Sequence, residues 1–389
     1  MSNLGKGRIL FVVTSLVLGG AESQLAMLAE RLKKRGWNIN VVALEKSGVL
    51  ADQLSRAGIP VSSGGYDSAR GSRIAKLIGI CLCEARLIWR VRRSRPDVVH
   101  GFLPLTNFMS ALAGRMAFAP FVVTSKRSLG RYQDRDPIFK WLDRAANALS
   151  DVVTANSRAV ASDTQARDGY AASRIVVIPN GIDFTPFDDA RQRRDEMRGV
   201  LGLSRENIAI AMVANLIPYK GHSELIEAFA RIAAGDSRIK LFLIGRDEGM
   251  AHALVESADR LRVSDRMNLM GQRNDVPALL SAMDIGVMSS HEEGFSNALL
   301  EKLAAGLPVV ATNVGGNSEA LDGMPDCILV RPQDTEDLTR GLVWMIGRLA
   351  TAADSRRARQ QLVRERYSVD VMVDAYERLY KGSQDRGAK

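Results

Sequence analysis

Cysteine and long apolar runs are scarce in this sequence, and their scarcity excludes several classes of protein. Only 3 of its 389 residues are cysteine (Cys81, Cys83 and Cys327), and no CxxC pair or Cys/His cluster occurs. So few cysteines cannot cross-link a chain of this length or build a zinc site, and a cytosolic location is expected. No apolar run reaches the roughly 18 residues that a membrane-spanning helix needs.

Targeting signals and repeats are also lacking. The first twenty residues, MSNLGKGRILFVVTSLVLGG, contain one short apolar run and no small-residue cleavage site. They predict a strand and a turn rather than a signal peptide. No repeat with a period of about 20–50 residues is present. Hydrophobic residues make up 46% of the chain and charged residues 25%, which excludes a collagen-like or disordered protein. The length predicts two or three domains.

The net charge of +9 is unevenly distributed. Residues 1–180 carry 26 Lys/Arg against 13 Asp/Glu, whereas residues 181–389 carry 27 against 31. The densest basic segment, 86–95, mixes five arginines with apolar residues. This pattern is typical of a helix on an anionic membrane surface, and equally of an ordinary surface helix with one buried stripe. No RNP, zinc-finger or bZIP pattern accompanies the charge, so nucleic acid is not an expected partner.

Apolar runs alternate with amphipathic helical stretches along the first half of the chain. The predicted strands there are 8–15, 39–45, 98–102, 121–125, 152–157 and 174–179. Between the first two, a helical pattern over 21–36 places Leu25, Leu28 and Leu32 on one face. Short strands separated by helices indicate an α/β fold with a doubly wound parallel sheet.

The alternation breaks near residue 180 and then restarts. Pro-Asn-Gly-Ile-Asp at 179–183 is a turn signal, and a polar stretch follows it. The second series of predicted strands comprises 208–215, 240–245, 267–271, 284–290, 308–312 and 327–330. We therefore predict an N-terminal domain over 1–180 and a C-terminal domain over 181–368. Two such domains form a cleft, where ligands bind at the carboxyl ends of the strands.

A pair of glutamates marks the most informative segment, residues 289–312. Glu293 follows a predicted strand, and Glu301 lies in the helix that Ser296 or Asn297 can cap. The start of a helix has free N–H groups and a positive dipole end, which favour a phosphate anion. The two carboxylates can accept hydrogen bonds from separate hydroxyl groups of one extended ligand.

Two further segments follow predicted strands. Lys220 lies at the start of a helix after the strand 208–215, where its charge suits a diphosphate. Gly19 and Gly20 follow the first strand and allow the backbone to approach a ligand closely. Their pattern is not GxGxxG, so an NAD-dependent oxidoreductase is not expected.

Together these segments resemble the retaining glycosyltransferases of family 4, the glycosyl transferases group 1. The resemblance covers nearly the whole chain: GGAE at 19–22, IPNGID at 178–183, KG at 220–221, LIG at 243–245, the Glu293 and Glu301 pair, and AAGLPVVATNVGG at 304–316. It implies the GT-B fold, in which two Rossmann-like domains face each other across a cleft, the N-terminal domain (1–180) binding the acceptor and the C-terminal domain (181–368) binding the nucleotide-sugar donor. It also implies that a final helix over 369–389 crosses back to the N-terminal domain.

The resemblance further implies transfer of a sugar from a UDP- or GDP-sugar, with retention of anomeric configuration and without a metal or other cofactor. By position, Lys220 would hold the diphosphate, Glu293 the transferred sugar and Glu301 the ribose. The implied donor-binding residues are Gly19, Gly20, Asn215, Lys220, Gly245, Gly271, Glu293, Gly294, Phe295, Ser296, Asn297 and Glu301.

The chain departs from the family pattern at two places. Asn215 stands where many relatives have an arginine that assists the lysine on the diphosphate. Many relatives also have a histidine where this chain has Ser125, Lys126 and Arg127. We hypothesise that Lys126 or Arg127 supplies the missing positive charge. His100, expected to end a strand and face the cleft, is a candidate acceptor contact. The catalytic candidates are Lys220, Glu293, Arg127 and His100.

The residues also bear on mechanism and acceptor. The N-terminal half offers no evident carboxylate nucleophile, which favours a front-face route in which the departing phosphate oxygen takes the acceptor's proton. The basic N-terminal domain favours a glycan or lipid-linked acceptor and peripheral contact with the anionic inner face of the plasma membrane. A nucleotide-sugar epimerase or hydrolase of similar fold and a non-catalytic nucleotide-sugar-binding protein stay open as alternatives.

Overall fold

The computed structural model describes residues 6–45, 48–66 and 72–387. The chain divides into two compact units. The first unit is formed by residues 1–181 and 369–389, and the second by residues 182–368. Each unit contains one parallel sheet with helices between its strands. The functions predicted for the two domains, acceptor binding and donor binding, remain predictions.

The first unit is built on a seven-stranded parallel sheet with the order β3-β2-β1-β4-β5-β6-β7. The strands are β1 (Arg8–Val13), β2 (Asn38–Ala43), β3 (Val61–Ser63), β4 (Val98–Phe102), β5 (Phe121–Lys126), β6 (Val152–Ala155) and β7 (Ile175–Val177). The helices are α1 (Gly20–Lys34), α2 (Val49–Arg56), α3 (Arg73–Ser94), α4 (Pro104–Met116), α5 (Tyr132–Arg135), α6 (Pro137–Leu149) and α7 (Arg158–Asp168). From β1, successive strands are added first toward one edge of the sheet (β2, β3) and then toward the other (β4 to β7), which defines a doubly wound fold.

The second unit repeats this arrangement with six parallel strands in the order β10-β9-β8-β11-β12-β13. The strands are β8 (Ile208–Val213), β9 (Ile239–Ile244), β10 (Met267–Gly271), β11 (Ile285–Met288), β12 (Val309–Thr312) and β13 (Cys327–Val330). The helices are α8 (Thr185–Arg191), α9 (Arg194–Val200), α10 (His222–Gly235), α11 (Ala251–Arg260), α12 (Val276–Ala282), α13 (Asn297–Ala304), α14 (Asn317–Leu321), α15 (Thr335–Gly347), α16 (Leu349–Asp354) and α17 (Arg356–Tyr367).

The last helix, α18 (Val369–Gly387), belongs to the first unit. Its Tyr376 and Tyr380 are buried in the same core as Trp37. Glu377 accepts hydrogen bonds from the Lys6 ammonium at 2.9 Å and the Trp37 indole at 3.2 Å. Burial alone would raise the pKa of Glu377, but these hydrogen bonds and those from Arg35 and Lys381 lower it to about 2. Apolar packing and a buried carboxylate therefore hold α18 in place.

Both faces of the first sheet are buried, which explains why its strands are almost uninterrupted apolar runs. Ile9 and Phe11 of β1 pack in the core that contains α1 and α18. Leu10 and Val12 point the other way and pack with Leu87 of α3 and with α4. The strand period of two thus divides β1 between two cores.

The predicted strands are present, but several end earlier than expected. The run 8–15 ends at Val13, and 284–290 is reduced to Ile285–Met288, because the polar residues beyond them form loops. The three residues of β3 have no counterpart in the prediction, since so short a run shows no alternation. Within the described residues, no helix is both long and apolar enough to cross a bilayer.

Candidate active site

Three loops converge at the carboxyl edge of the second sheet. Strands β8, β11 and β12 are neighbours, so the loops that follow them lie side by side. Lys220 lies in the loop after β8, Glu293 in the loop after β11, and Gly315 in the loop after β12. Residues separated by almost a hundred positions in the sequence are thereby brought together.

Lys220 and Glu293 form a half-buried ion pair. The Lys220 Nζ lies 2.6 Å from Glu293 Oε1, and the Ser290 hydroxyl donates to the same oxygen at 2.7 Å. The two side chains are 18% and 10% exposed, so both remain accessible to a ligand. The sequence pattern paired Glu293 with Glu301, whereas the structure places Lys220 on Glu293. Ser290, absent from the predicted site, orients this carboxylate.

Two glycines allow these loops to approach each other. Gly221 has φ +73°, and a Cβ there would overlap the backbone carbonyl of Ser289. Gly315 has φ +51°, and a Cβ there would overlap the carbonyl of Glu293. Any other residue at either position would separate the loops and would be strained in this backbone conformation. The Lys220–Glu293 pair thus depends on both glycines.

Helix α13 begins beside this pair. The Ser296 hydroxyl accepts a hydrogen bond from the Leu299 N–H at 3.3 Å, which makes Ser296 the N-cap. Gly294 is held by the Gly316 N–H, which donates to its carbonyl at 2.8 Å. The positive end of α13 therefore lies in the same loop as Glu293. Phe295 is 4% exposed with its ring 5.3 Å from that of Tyr367, so its side chain serves packing.

Glu301 lies in α13 and is followed directly by a buried lysine, Lys302. Burial raises the pKa of the Glu301 carboxyl, and the positive charge of Lys302 opposes that rise. Burial lowers the pKa of the Lys302 ammonium, and the charges of Glu301 and Glu293 oppose that fall. The two pairs of opposite charges belong to one electrostatic cluster. Lys302 was not among the predicted site residues, although its position next to Glu301 was visible in the sequence.

Of the remaining predicted donor residues of this unit, Asn297 is the first residue of α13, Asn215 and Gly245 follow β8 and β9, and Gly271 ends β10. The Asn215 side-chain oxygen accepts a hydrogen bond from the Arg246 N–H at 3.4 Å, so it links two neighbouring loops. A Cβ on Gly245 would overlap the Ala214 carbonyl, and the Gly245 N–H donates to the Gly271 carbonyl at 2.9 Å. These residues therefore shape the same edge of the sheet on which Lys220 lies.

In the first unit, Gly19 and Gly20 follow β1, and Gly19 is the N-cap of α1. A Cβ on Gly19 would overlap the carboxylate of Glu22. Burial raises the pKa of Glu22, while its own backbone and the charge of Arg127 oppose the rise. The absence of a side chain at Gly19 therefore makes room for the carboxylate of Glu22.

Arg127 follows β5 and is held by residues from several segments. Its guanidinium donates to Asn180 Oδ1 at 2.7 Å and to the Tyr376 hydroxyl at 3.5 Å. The same group lies over the ring of Phe102, 5.6 Å from its centroid. Burial lowers the pKa of Arg127, and Tyr376 and Glu22 oppose this fall. Tyr376 and Asn180, which were not predicted as site residues, fix the position of this charge.

The prediction about His100 is wrong, whereas the hypothesis that Lys126 or Arg127 supplies a positive charge stays a prediction. His100 does not end a strand but lies at the centre of β4, where it is 0% exposed. Its ring nitrogens lie 2.7 Å from the hydroxyls of Tyr380 and Ser125, and burial lowers its pKa well below the usual range. A neutral histidine sealed between a sheet and α18 cannot contact an acceptor. Lys126 is also buried, in an ion pair with Asp143 at 2.5 Å, so its charge is already compensated.

Two other histidines serve local structure. The His291 ring lies 2.7 Å from a carboxylate oxygen of Glu224, which ties the Glu293 loop to α10. His222 is 0% exposed, and burial lowers its pKa to about 4. His222 is therefore neutral inside the core near the start of α10.

Known proteins resemble this chain over both units. The family model described as "Glycosyltransferase Family 4" matches residues 18–185, and that described as "Glycosyl transferases group 1" matches residues 207–348. An Escherichia coli protein named UDP-Gal:alpha-D-GlcNAc-diphosphoundecaprenol alpha-1,3-galactosyltransferase is 25% identical, over 97% of this chain and 98% of its own. The D-inositol 3-phosphate glycosyltransferase of Geodermatophilus obscurus is 26% identical, over 92% and 84%. A crystal structure of Anabaena Alr3699/HepE with UDP and glucose has a TM-score of 0.83 at 22% identity, covering 97% of this chain and 100% of that one.

Proposed function

Since this chain belongs to glycosyltransferase family 4 and has the GT-B fold, we propose that it transfers a hexose from a UDP-hexose to a lipid-linked acceptor, with retention of anomeric configuration. Glycosyltransferase activity with a nucleotide-sugar donor follows from the family. The identity of the nucleotide, the acceptor and the stereochemistry are the proposed parts. Family membership disfavours the epimerase, hydrolase and non-catalytic alternatives.

The ion pair of Lys220 and Glu293 beside the start of α13 is the observation that carries the proposal. A donor diphosphate is a stronger partner for the Lys220 ammonium than a single carboxylate, and it also matches the positive end of the helix. When the diphosphate binds Lys220, the Glu293 carboxylate becomes free to accept hydrogen bonds from the hydroxyl groups of the sugar. Before the donor binds, the ion pair thus holds Lys220 and Glu293 in the positions from which they are proposed to contact the diphosphate and the sugar.

The relatives favour UDP over GDP. The name of the E. coli relative specifies UDP-Gal and an acceptor carried on diphosphoundecaprenol. The Anabaena structure contains UDP. The excess of basic residues in 1–180 suits an acceptor that itself carries a diphosphate. We therefore propose a polyprenyl-diphosphate-linked sugar as the acceptor.

The positive charge of Lys220 and the positive end of α13 support a front-face mechanism. The bond between the anomeric carbon and the phosphate oxygen breaks, and the acceptor oxygen bonds to the same face of that carbon. The proton of the acceptor passes to the departing phosphate oxygen, so no carboxylate nucleophile is required. Lys220 and the N–H groups at the start of α13 stabilise the charge that develops on the diphosphate. Arg127 is proposed to add positive charge from the first unit.

We also propose that the reaction needs no metal ion. In many transferases a divalent cation neutralises the leaving diphosphate, whereas here we assign that role to the ammonium of Lys220 and to the N–H groups at the start of α13. Full activity in excess EDTA supports this proposal. Activity that depends on added Mg²⁺ or Mn²⁺ contradicts it.

Helix α3 supports peripheral contact with a membrane. Its exposed apolar side chains recur at helical spacing and are between 53% and 73% exposed: Ile74, Leu77, Ile78, Leu82 and Trp89. The basic segment 86–95 continues the same helix, while Cys83, Leu87 and Val91 form its buried side. A helix with an apolar stripe beside arginines binds the surface of an anionic bilayer. We propose that α3 brings the enzyme to its lipid-linked acceptor.

The proposed function is tested in two steps. First, UDP, GDP and ADP are titrated against the protein by thermal shift without added metal, and we expect selective stabilisation by UDP that Glu301→Ala removes. Second, UDP-galactose, UDP-glucose and UDP-N-acetylglucosamine are supplied with a short-chain polyprenyl diphosphate-linked sugar. NMR of the product then reports the anomeric configuration.

A product with inverted configuration would overturn the front-face mechanism while leaving the donor proposal intact. Selective binding of GDP would replace the proposed nucleotide. Absence of transfer to every lipid-linked sugar, combined with transfer to a soluble acceptor, would overturn the acceptor proposal.

A further inference from the structure

Lys302 is a completely buried cation in the core of the second unit. It is 0% exposed, and its ammonium donates to the backbone carbonyl of Ala298 at 3.1 Å. Ala298 lies in the first turn of α13, so the lysine side chain runs back toward the helix start, as helical side chains do. An ammonium removed from water in an apolar core costs free energy unless it is fully paired. Stability of the fold alone therefore does not explain the residue.

The sheet makes room for this side chain. Gly286 of β11 faces Lys302, and a Cβ on Gly286 would lie 2.7 Å from the Lys302 Cδ. The surrounding side chains of α13, Leu299 and Leu303, are fully buried and apolar. A lysine is thus accommodated across a glycine in an apolar core, where a leucine or methionine would be the ordinary residue.

The Lys302 ammonium lies at the carbonyl of Ala298, in the first turn of the helix that begins just after Glu293. It therefore shares this end of α13 with the carboxylates of Glu301 and Glu293 and with the Lys220 ammonium that is paired with Glu293. With Lys302 present, the two lysines balance the two glutamates. Without it, the cluster would carry one net negative charge and would repel a diphosphate. Asn215 adds no positive charge to offset this.

We propose that Lys302 is a positioning residue of the donor site, whose buried charge neutralises the two glutamates and so allows the diphosphate of the donor to bind Lys220. This inference rests on the proposed function. It assigns to Lys302 a charge effect on the diphosphate and no direct contact with it. The nucleoside part of the donor carries no charge and senses Lys302 only through the ionisation of Glu301, so the ratio of UDP to uridine affinity isolates the effect on the diphosphate.

The test compares the affinities of UDP and uridine, measured by calorimetric titration and, for uridine, by displacement of UDP. In Lys302→Met we expect the ratio of UDP to uridine affinity to fall about tenfold, since a buried unit charge is screened only weakly, at an effective dielectric constant of ~20. Methionine fills the space of the lysine stem, so the variant should fold. Lys240→Met, which removes a half-buried lysine near the amino end of β9, is the matched control and should leave the ratio unchanged.

A double variant separates charge from packing. Lys302→Met combined with Glu301→Gln restores a neutral cluster, so the ratio should return toward the wild-type value even though both affinities fall. An unchanged ratio in Lys302→Met would overturn the inference while leaving the proposed function standing. A ratio that falls and is not restored in the double variant would show a packing role and also overturn it. If the wild-type protein binds neither UDP nor GDP, the inference and the proposed function fail together.

Discussion

The ammonium of Lys220 lies 2.6 Å from a carboxylate oxygen of Glu293, although the two residues are 73 positions apart and follow different strands. Neighbouring parallel strands bring their carboxyl ends to one edge of the sheet, and this explains the contact between the two side chains. The pair places a cation, an anion and a helix start within one small region. Each can be tested by a separate substitution.

Lys220→Met should lower kcat/KM for sugar transfer by about 100-fold or more, because a preorganised charge on the leaving diphosphate is lost. Lys240→Met is the control, since it removes an equal charge from the same unit away from this edge. Initial rates at varied donor concentration provide the measurement. Equal rates for the two variants would remove Lys220 from the mechanism.

Glu301 should make binding of the nucleoside dependent on pH. The ionised carboxylate accepts hydrogen bonds from ribose hydroxyls, and burial raises its pKa above the usual range of a carboxyl group. Uridine affinity should therefore weaken as the pH falls through this raised pKa, at a higher pH than for an exposed glutamate. Titrations between about pH 5 and 9 measure the effect, and Glu301→Gln should abolish the dependence. The same dependence in Glu301→Gln would assign it to another group.

Arg127→Ala should reduce turnover by at least about tenfold if the guanidinium stabilises the leaving diphosphate. The control is Tyr376→Phe, which removes a hydrogen-bond partner of Arg127 but retains its charge. That variant should keep most of the activity. A small effect of Arg127→Ala on kcat, with an unchanged melting temperature, would leave Arg127 without a catalytic role.

Lys126→Met should destabilise the first unit without a specific effect on donor binding. Removal of the lysine leaves the buried carboxylate of Asp143 uncompensated, which costs about 3–5 kcal/mol. Chemical denaturation measures the loss, and UDP affinity of the folded fraction should match the wild type. The paired variant Lys126→Met/Asp143→Leu should recover part of the stability, and its failure to do so would point to a role outside this ion pair.

Binding to anionic vesicles should depend on α3. Leu82→Ser combined with Trp89→Ser removes two exposed apolar side chains and should weaken co-sedimentation with phosphatidylglycerol vesicles about tenfold or more. Val200→Ser, which alters a side chain 73% exposed in the second unit, is the control. Wild-type protein that stays in the supernatant would contradict the membrane proposal, and so would equal binding of all variants.

The sequence predicted those parts of the candidate site whose residues lie close together in the chain. Glu293, Ser296 and Glu301 follow one strand within a few residues of each other, so local spacing alone indicates a helix start with two carboxylates. His100 shows the limit of this reasoning. Its position near the end of an apolar run suggested exposure, whereas α18, 280 residues later, covers it with Tyr380.

The sequence by itself determined the alternation of strands and helices, because apolar runs and amphipathic periods are local properties of the chain. It also determined the break near residue 180 and the family resemblance. Only the tertiary structure decided which charged side chains contact each other. Lys126 forms an ion pair with Asp143, whereas the adjacent Arg127 donates hydrogen bonds to Asn180 and Tyr376, and the Lys302 side chain packs against Gly286. Those outcomes depend on which face of a strand or helix each side chain occupies and on what a distant segment packs against it, and no local pattern encodes either.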